Sequence, residues 1–435
     1  MTNRKNIIFL FSVIFLFRLL YGLYQSHWTD YDERQSYLTG LKFYTTGAWP
    51  FFGPDAAGSE SSYYSQIPGA LEGLIIGLPF YILPIPEAPF ILLNLLSTAG
   101  ILILASYIHN RLPNLNFEWL CLWIAVVPWS LFYPTHISNM SYLFFSGILF
   151  FIGFLESIPL YSRKVLSLPW ANAWMGFSLF WIMQFHLSYV FLIPLAFFSL
   201  IVQFKNHSWL KGLFFFVLGA AGPFSLALPT YLQYGFNRIN SHAGFFTLFN
   251  WDNVKSVHIL LARFLSLVCF EVPTFIGPHN ADRIHFLTSH LSILLPGLLL
   301  WIVGILQASA LFLFWFKKGS DVAGWKEMKW LLALVFVMVY GSFWFTIKPP
   351  LSHIYIVFFP LIMIYSCYVW NFFTLDVRVR LIAKVVVILG VSFQLGYAMA
   401  VAPQDSIWTQ RETIAKALAD KNYHLVGERS PGSLY

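Results

Sequence analysis

"IPGALEGLIIGLPFYIL", residues 67–83, decides how the chain is threaded. It has nearly the apolar length of a membrane span, and if it crossed, every later loop would change sides. Arg111, Arg163, Lys164, Lys205, Lys211, Lys317, Lys318, Lys326, Lys329, Arg378, Arg380 and Lys384 would then all face outward. If it does not cross, they all face inward, together with Arg4 and Lys5 ahead of the first apolar run, as the positive-inside rule requires. Pro68, Pro79 and Pro84 also suit a short juxtamembrane helix better than a full crossing. The segment is therefore expected to lie at the membrane surface.

The rest of the chain supports a membrane setting. Of 435 residues, 58% are hydrophobic and 10% charged, against about 25% charged in a soluble domain. The first apolar run, Ile7 to Tyr24, is broken only by Ser12, Arg18 and Gly22; it is too long, and too poor in following small residues, for a cleaved signal peptide. Further runs cover approximately 88–108, 119–133, 140–156, 171–185, 187–203, 212–231, 289–316, 330–347, 351–371 and 384–400. Each is near the length that crosses a hydrocarbon core of roughly 30 Å as a helix. The expectation is an all-α integral membrane protein of about eleven transmembrane helices, N-terminus cytoplasmic. Residues 1–400 form the membrane domain, with outer loops at about 25–87 and 232–288, and 401–435 form a short outer tail.

The net charge of +7 is spread over short loops, with no continuous basic stripe to bind nucleic acid. Cys121, Cys269 and Cys367 lie far apart, without the spacing of a disulfide framework or zinc site. Acid is concentrated in the first outer loop, which holds Asp30, Asp32, Glu33, Asp55, Glu60, Glu72 and Glu87. In "HWTDYDERQ", residues 27–35, Asp30 can be an N-cap and Glu33 the third residue of a capping box, for a helix ending near Gly47. That reading leaves Asp32 without a task. A carboxylate fixed on a helix at the membrane surface can instead act as general base toward a hydroxyl group.

"DYDERQSYLTGLKFYTTGAWPFFGP", residues 30–54, followed by "YSQIPGAL", residues 64–71, resembles the first outer loop of the GT-C glycosyltransferase superfamily, in the branch of aminoarabinose transferases and protein O-mannosyltransferases. In that branch an Asp-Glu pair follows the first span, a helix leads to a Gly and a Trp-Pro-like segment, and a Pro-rich element opens a juxtamembrane helix. The resemblance implies Asp32 as catalytic base with Glu33 beside it. Departures accompany it. Where such enzymes carry an Asp outside the third span, "YPTHISNMSY", residues 133–142, offers Asn139 with His136 nearby; and Gln66-Ile67 stand where relatives have an acid and a lysine. "TIKPPLSHIYIVFFPL", residues 346–361, resembles the family's late outer turn through Lys348, His353 and Pro360. Lys348 is either a contact to the donor phosphate or an interfacial anchor.

Other candidates are weaker. Arg18 within the first helix either faces a cavity or snorkels outward. Arg283 and His285, in "GPHNADRIHFLTSH", residues 277–290, either reach an anionic headgroup or belong to a solvated loop. His186 reads as a capping residue at a tight turn. In the tail, one amphipathic helix should carry Ile414, Ala415 and Leu418 on one face, followed by a short extended piece.

The function expected is therefore transfer of a sugar from a polyprenyl-phosphate carrier to a hydroxyl acceptor on a glycan, lipid or protein. It would occur at the outer face of the plasma membrane, a bacterial inner membrane being the favoured one. Asp32 and Glu33 would be catalytic, with His136, Asn139, Arg283, Lys348 and His353 binding substrate. No cofactor is required, although Asp32, Glu33 and an acid such as Glu60 could gather a divalent ion. Alternatives are a transporter or flippase for lipid-linked sugars, which should carry charged or broken helices near mid-membrane, and an O-antigen polymerase or ligase, which places its large outer loop late.

Overall fold

The fold is given by a computed structural model, which describes residues 4–25, 31–55, 66–235, 249–276, 280–317, 322–346, 351–373, 377–401 and 406–427. In chain order the helices are α1 (Arg4–Gln25), α2 (Tyr31–Thr46), α3 (Leu71–Ile82), α4 (Ala88–Arg111), α5 (Phe117–Val126), α6 (Pro128–Phe132), α7 (Leu143–Ser157), α8 (Leu168–Met183), α9 (Tyr189–Lys205) and α10 (Trp209–Tyr234). They continue as α11 (Trp251–Lys255), α12 (Val257–Leu265), α13 (Val272–Ile276), α14 (Asn280–Ser289), α15 (Leu291–Trp315), α16 (Trp325–Phe343), α17 (Phe359–Asn371), α18 (Val377–Val401) and α19 (Ile407–Ala419). Two short strands, β1 (Phe52–Asp55) and β2 (Gln66–Pro68), form an antiparallel ladder between α2 and α3 that was not foreseen.

Every apolar run expected to span is largely helical among the described residues. Six helices among the described residues have both the length and the composition to cross a membrane: α1, α4, α10, α15, α18 and the stretch from Ser352 to Asn371 that ends in α17. The run expected at 119–133 is two helices instead of one. Val127 precedes Pro128 and takes extended dihedrals, φ −63° and ψ 134°, because the proline ring disfavours a helical residue before it. Helix α3 has 12 residues, a length of about 18 Å, well short of a roughly 30 Å hydrocarbon core. The segment at 67–83 therefore does not cross as a helix, which agrees with the distribution of basic residues.

The chain divides into two compact units, three of the boundaries falling within α1, α4 and α18. One comprises Gly22–Ser97, Tyr133–Thr247 and Val401–Tyr435. Its helices α7, α8, α9 and α10 pack side by side, and α8 and α9 are tied by paired amides: Asn172 Nδ2 donates to Gln203 Oε1 at 3.2 Å, and Gln203 Nε2 returns to Asn172 Oδ1 at 3.1 Å. Reciprocal amides satisfy each other where no water is available. Helices α2 and α3 lie against each other in the same direction. A Cβ on Gly40 would fall on Ile76 and within 2.8 Å of the Gly77 nitrogen, so the two backbones approach more closely than side chains would allow.

The tail belongs to this unit. On α19 the buried residues are Ile407, Ile414, Ala417 and Leu418; Ala415, expected on that face, is only half-buried. Helical geometry explains the exchange, since residues three and four apart share a face. The expected extended piece is a short 3₁₀ turn at Tyr423–Leu425.

The other unit comprises Met1–Tyr21, Thr98–Phe132 and Leu248–Ala400. Trp129 is its aromatic centre, with edge contacts to Phe264, Tyr355 and Phe359 at centroid distances of 6.4, 5.6 and 6.0 Å. Arg18 is buried and donates through Nη1 to the carbonyl of Ala125 at 3.2 Å, so it does not snorkel. The three cysteines are buried free thiols.

Candidate active site

The first turn of α2 presents two carboxylates in opposite settings. Asp32 is exposed, whereas Glu33 is 7% exposed. Consecutive helical residues point about 100° apart, so burying Glu33 leaves Asp32 at the rim. Asp30, the N-cap candidate, lies outside the described residues, but the expected helix end is present: α2 stops at Thr46, and Gly47 takes φ +69° while its N–H caps the Phe43 carbonyl at 2.9 Å.

Glu33 turns toward the segment 133–142, which is bent and buried where the sequence suggested the start of a span. His136 Nε2 lies 3.3 Å from Glu33 Oε1. The bend is held internally: Ser141 Oγ donates to the carbonyls of Tyr133 (2.7 Å) and His136 (2.5 Å), and Asn94 Nδ2 donates to the Thr135 carbonyl at 3.1 Å. Gly22 lets α1 approach this same carbonyl; a Cβ there would collide with it. The segment's own Ser141, together with α4 and α1, thus fixes the bend that presents the imidazole to α2. Asn139, in the same segment, is 8% exposed, and its Oδ1 has no hydrogen-bond partner among the described residues.

One turn further along α2, Ser36 Oγ donates to Glu72 Oε1 at 2.7 Å, with both residues fully buried. In the sequence Glu72 is one of seven acids in the first outer loop, with no role assigned to it. Its signal was available, because it is the only acid within an apolar run of seventeen residues, and an isolated acid in such a run calls for a partner. The arrangement around it could not be read from the sequence, since the strands β1 and β2 bring Gly53 against it: a Cβ on Gly53 would lie 3.6 Å from Glu72 Oε2 and 3.1 Å from the Gln184 carbonyl.

The remaining candidates divide as follows. Arg283, on α14, and His353, in the 3₁₀ turn Ser352–Phe358, are half-buried residues of the other unit. Lys348 and Glu60 lie outside the described residues. Among the described residues no group of three His, Cys, Asp or Glu side chains is placed to hold a metal ion. His186 caps its turn as expected, its Nδ1 accepting from the Ser188 N–H at 3.1 Å. An ion pair absent from the sequence reading joins Arg263 and Glu271. Burial pushes the Glu271 carboxyl above its usual range, against the opposing pull of Arg263 and a hydrogen bond from Ser352.

Fold and site together describe a polytopic helical membrane protein with an acidic helix and a buried polar cluster in the loop after its first span. No family model matches the chain, and no curated protein matches it. Among solved structures, the chain is similar to ArnT from Cupriavidus metallidurans bound to undecaprenyl phosphate, with a TM-score of 0.46 and 12% identity over 98% of this chain and 78% of that one.

Proposed function

We propose that the protein is a membrane glycosyltransferase of the GT-C type that moves a sugar from a polyprenyl-phosphate carrier to a hydroxyl acceptor at the outer face of the membrane. The observation that carries this reading is the division of labour in the first turn of α2. Glu33 is turned inward onto His136, and Asp32, one residue before it, is held at the exposed rim by a helix braced along its length.

In the proposed reaction the acceptor oxygen attacks the anomeric carbon from the side opposite the phosphate, and its proton passes to the Asp32 carboxylate. The bond from the anomeric carbon to the phosphate oxygen breaks with its electron pair going to that oxygen, so that polyprenyl phosphate leaves and configuration inverts. A lipid carrier suits the location, because its tail stays in the bilayer while its head reaches the surface. Cations must meet the charge that builds on the departing phosphate.

The test is transfer in proteoliposomes from a panel of polyprenyl-phosphate sugars, comparing the wild-type protein with Asp32→Asn. General-base assistance is worth about 10² to 10⁴-fold, and the variant should lose that much turnover while keeping its thermal midpoint, since Asp32 is exposed. Transfer at the wild-type rate by Asp32→Asn would remove Asp32 from the chemistry.

A further inference from the structure

Beside the α2 rim lies a corner where several buried polar atoms have no hydrogen-bond partner among the described residues. Its floor is the Ser36–Glu72 pair. Tyr142 lies within electrostatic reach of Glu72, its ring stacked on Phe185 at a centroid distance of 4.9 Å, and its hydroxyl has no hydrogen-bond partner among the described residues. Gln184 is fully buried; its Nε2 donates to the Pro223 carbonyl at 2.7 Å, but its Oε1, packed against Gly69, accepts from none of the described residues. Gln66 adjoins Ile67 on β2, whose carbonyl would lie 3.6 Å from the same Gly53 Cβ that meets Glu72 and Gln184; it is 4% exposed, and both its Nε2 and its Oε1 are without partners among the described residues.

Buried polar groups are nearly always paired, and leaving a primary amide with neither donor nor acceptor used is unfavourable. An apolar chain would more simply place Leu or Phe at such positions, as it does through most of its core. Phenol, two primary amides and a hydroxyl-bonded carboxylate share one property: together they offer donors and acceptors in alternation, with no cation among them. That set suits vicinal hydroxyl groups, each of which donates and accepts. It does not suit a phosphate, which Glu72 would repel and which needs donors only.

We infer that Gln66, Tyr142 and Gln184, around the Ser36–Glu72 pair, form a subsite for a neutral, polyhydroxylated sugar ring, distinct from whatever cations receive the phosphate. The ligand's class rests on the glycosyl-transfer reading above; the polar atoms without partners among the described residues do not. The groups lie beyond Asp32 along α2, Ser36 being one turn away on the same helical face. A ring held there would have its hydroxyls fixed in the interior and one edge directed to the rim. The specificity consequence is that sugars with free vicinal hydroxyls would be preferred over deoxy analogues lacking them.

The experiment uses the full chain in nanodiscs or a sugar-free detergent. Saturation-transfer NMR would measure binding of the methyl glycosides of glucose, mannose and galactose, with methyl 2-deoxyglucoside, which should bind more weakly, and inorganic phosphate as comparators. At least one neutral glycoside should bind, Tyr142→Phe and Gln66→Leu should each weaken it about tenfold, and inorganic phosphate should not displace it. Gln66→Leu should also keep or raise the thermal midpoint, because it removes an unsatisfied amide; a purely structural amide would lower it. The inference is overturned if no neutral glycoside binds, if phosphate displaces it, or if both variants bind as the wild type does. Glycoside binding without transfer from any polyprenyl-phosphate donor would refute the proposed reaction and leave the subsite standing. Transfer with no effect of either variant on binding would do the reverse.

Discussion

Glu33 Oε1 and His136 Nε2 stand 3.3 Å apart, with side chains 9% and 7% exposed. An ionisable pair so far removed from water is coupled: removing either partner strands the other, at a cost of about 3–5 kcal/mol when a buried pair is broken. The pair joins the helix that carries Asp32 to the bent segment that carries Asn139.

Glu33→Gln and His136→Gln should therefore each lower the thermal midpoint, and the double variant should lose much less than the sum. A double-mutant cycle on the purified protein should return a coupling of about 1–3 kcal/mol. Additive losses would mean that the two side chains are neighbours without an energetic link.

Asp32 and Glu33 should separate in their effects. Asp32→Asn should reduce sugar transfer and leave stability unchanged, whereas Glu33→Gln should reduce both. The pair of measurements is the check: parallel behaviour in the two variants would mean that exposure and burial do not divide chemistry from support in this turn.

Gly40 offers a purely steric test. Alanine at that position gains about 1 kcal/mol of helix propensity over glycine, but its Cβ would strike Ile76 and the Gly77 backbone, and overpacking typically costs 1–3 kcal/mol. Backbone cannot yield as a flexible side chain can, so Gly40→Ala should lower the midpoint. Gly222→Ala, where nothing lies within 4 Å, should leave it equal or higher.

Much of this architecture is legible in the sequence because lipid leaves few options: an apolar run must be helical. The end of α2 at Gly47 and the short length of α3 follow from glycine and proline chemistry alone. What could not be read is long-range. Nothing local in "YPTHISNMSY" says that it bends, because the bend depends on Asn94 and Gly22 reaching Thr135 from distant helices. The break at Pro128 could have been read from the proline itself. Glu72 was visible as a residue but not as a hub, since Ser36 and Gly53 reach it only through tertiary packing.

The Glu271 carboxyl has its pKa raised, chiefly by burial. The folded form then holds a proton that the unfolded form has released, between the ordinary carboxyl pKa of about 4.3 and the raised folded value. Stability must fall as pH rises through that window and gain nothing from this group above it. Glu271→Gln removes the titration, so the wild-type midpoint should drop relative to the variant's between about pH 4.3 and the raised folded value. A constant difference from acid to neutral would place the pKa at its ordinary value.

Lys421 Nζ sits 3.4 Å from the centroid of the Tyr44 ring and 5.5 Å from that of Tyr81, a cation–π contact of about 0.5–1 kcal/mol at an exposed site. Lys421→Gln and Tyr44→Leu should each speed hydrogen exchange across residues 407–427, and together no more than either alone. Unchanged exchange in Lys421→Gln would show that the buried face of α19 holds the tail without it.

The tail's grip on α2 also has a consequence for biosynthesis. Arg34 Nη2 donates to the Val426 carbonyl at 3.2 Å, and Arg411 pairs with Glu87 at 2.6 Å, so the helix bearing Asp32 is clasped by chain that the ribosome makes almost four hundred residues later. At about 5–20 residues per second, α2 must wait roughly 20–80 s before its last partners emerge. During that interval it is held by α3 alone among its helical neighbours in the first loop, through the glycine contacts at Gly40 and Gly77. A nascent chain stalled before residue 406 should therefore insert its apolar helices yet leave the loop between α1 and α4 open to protease, closing only when the tail is released.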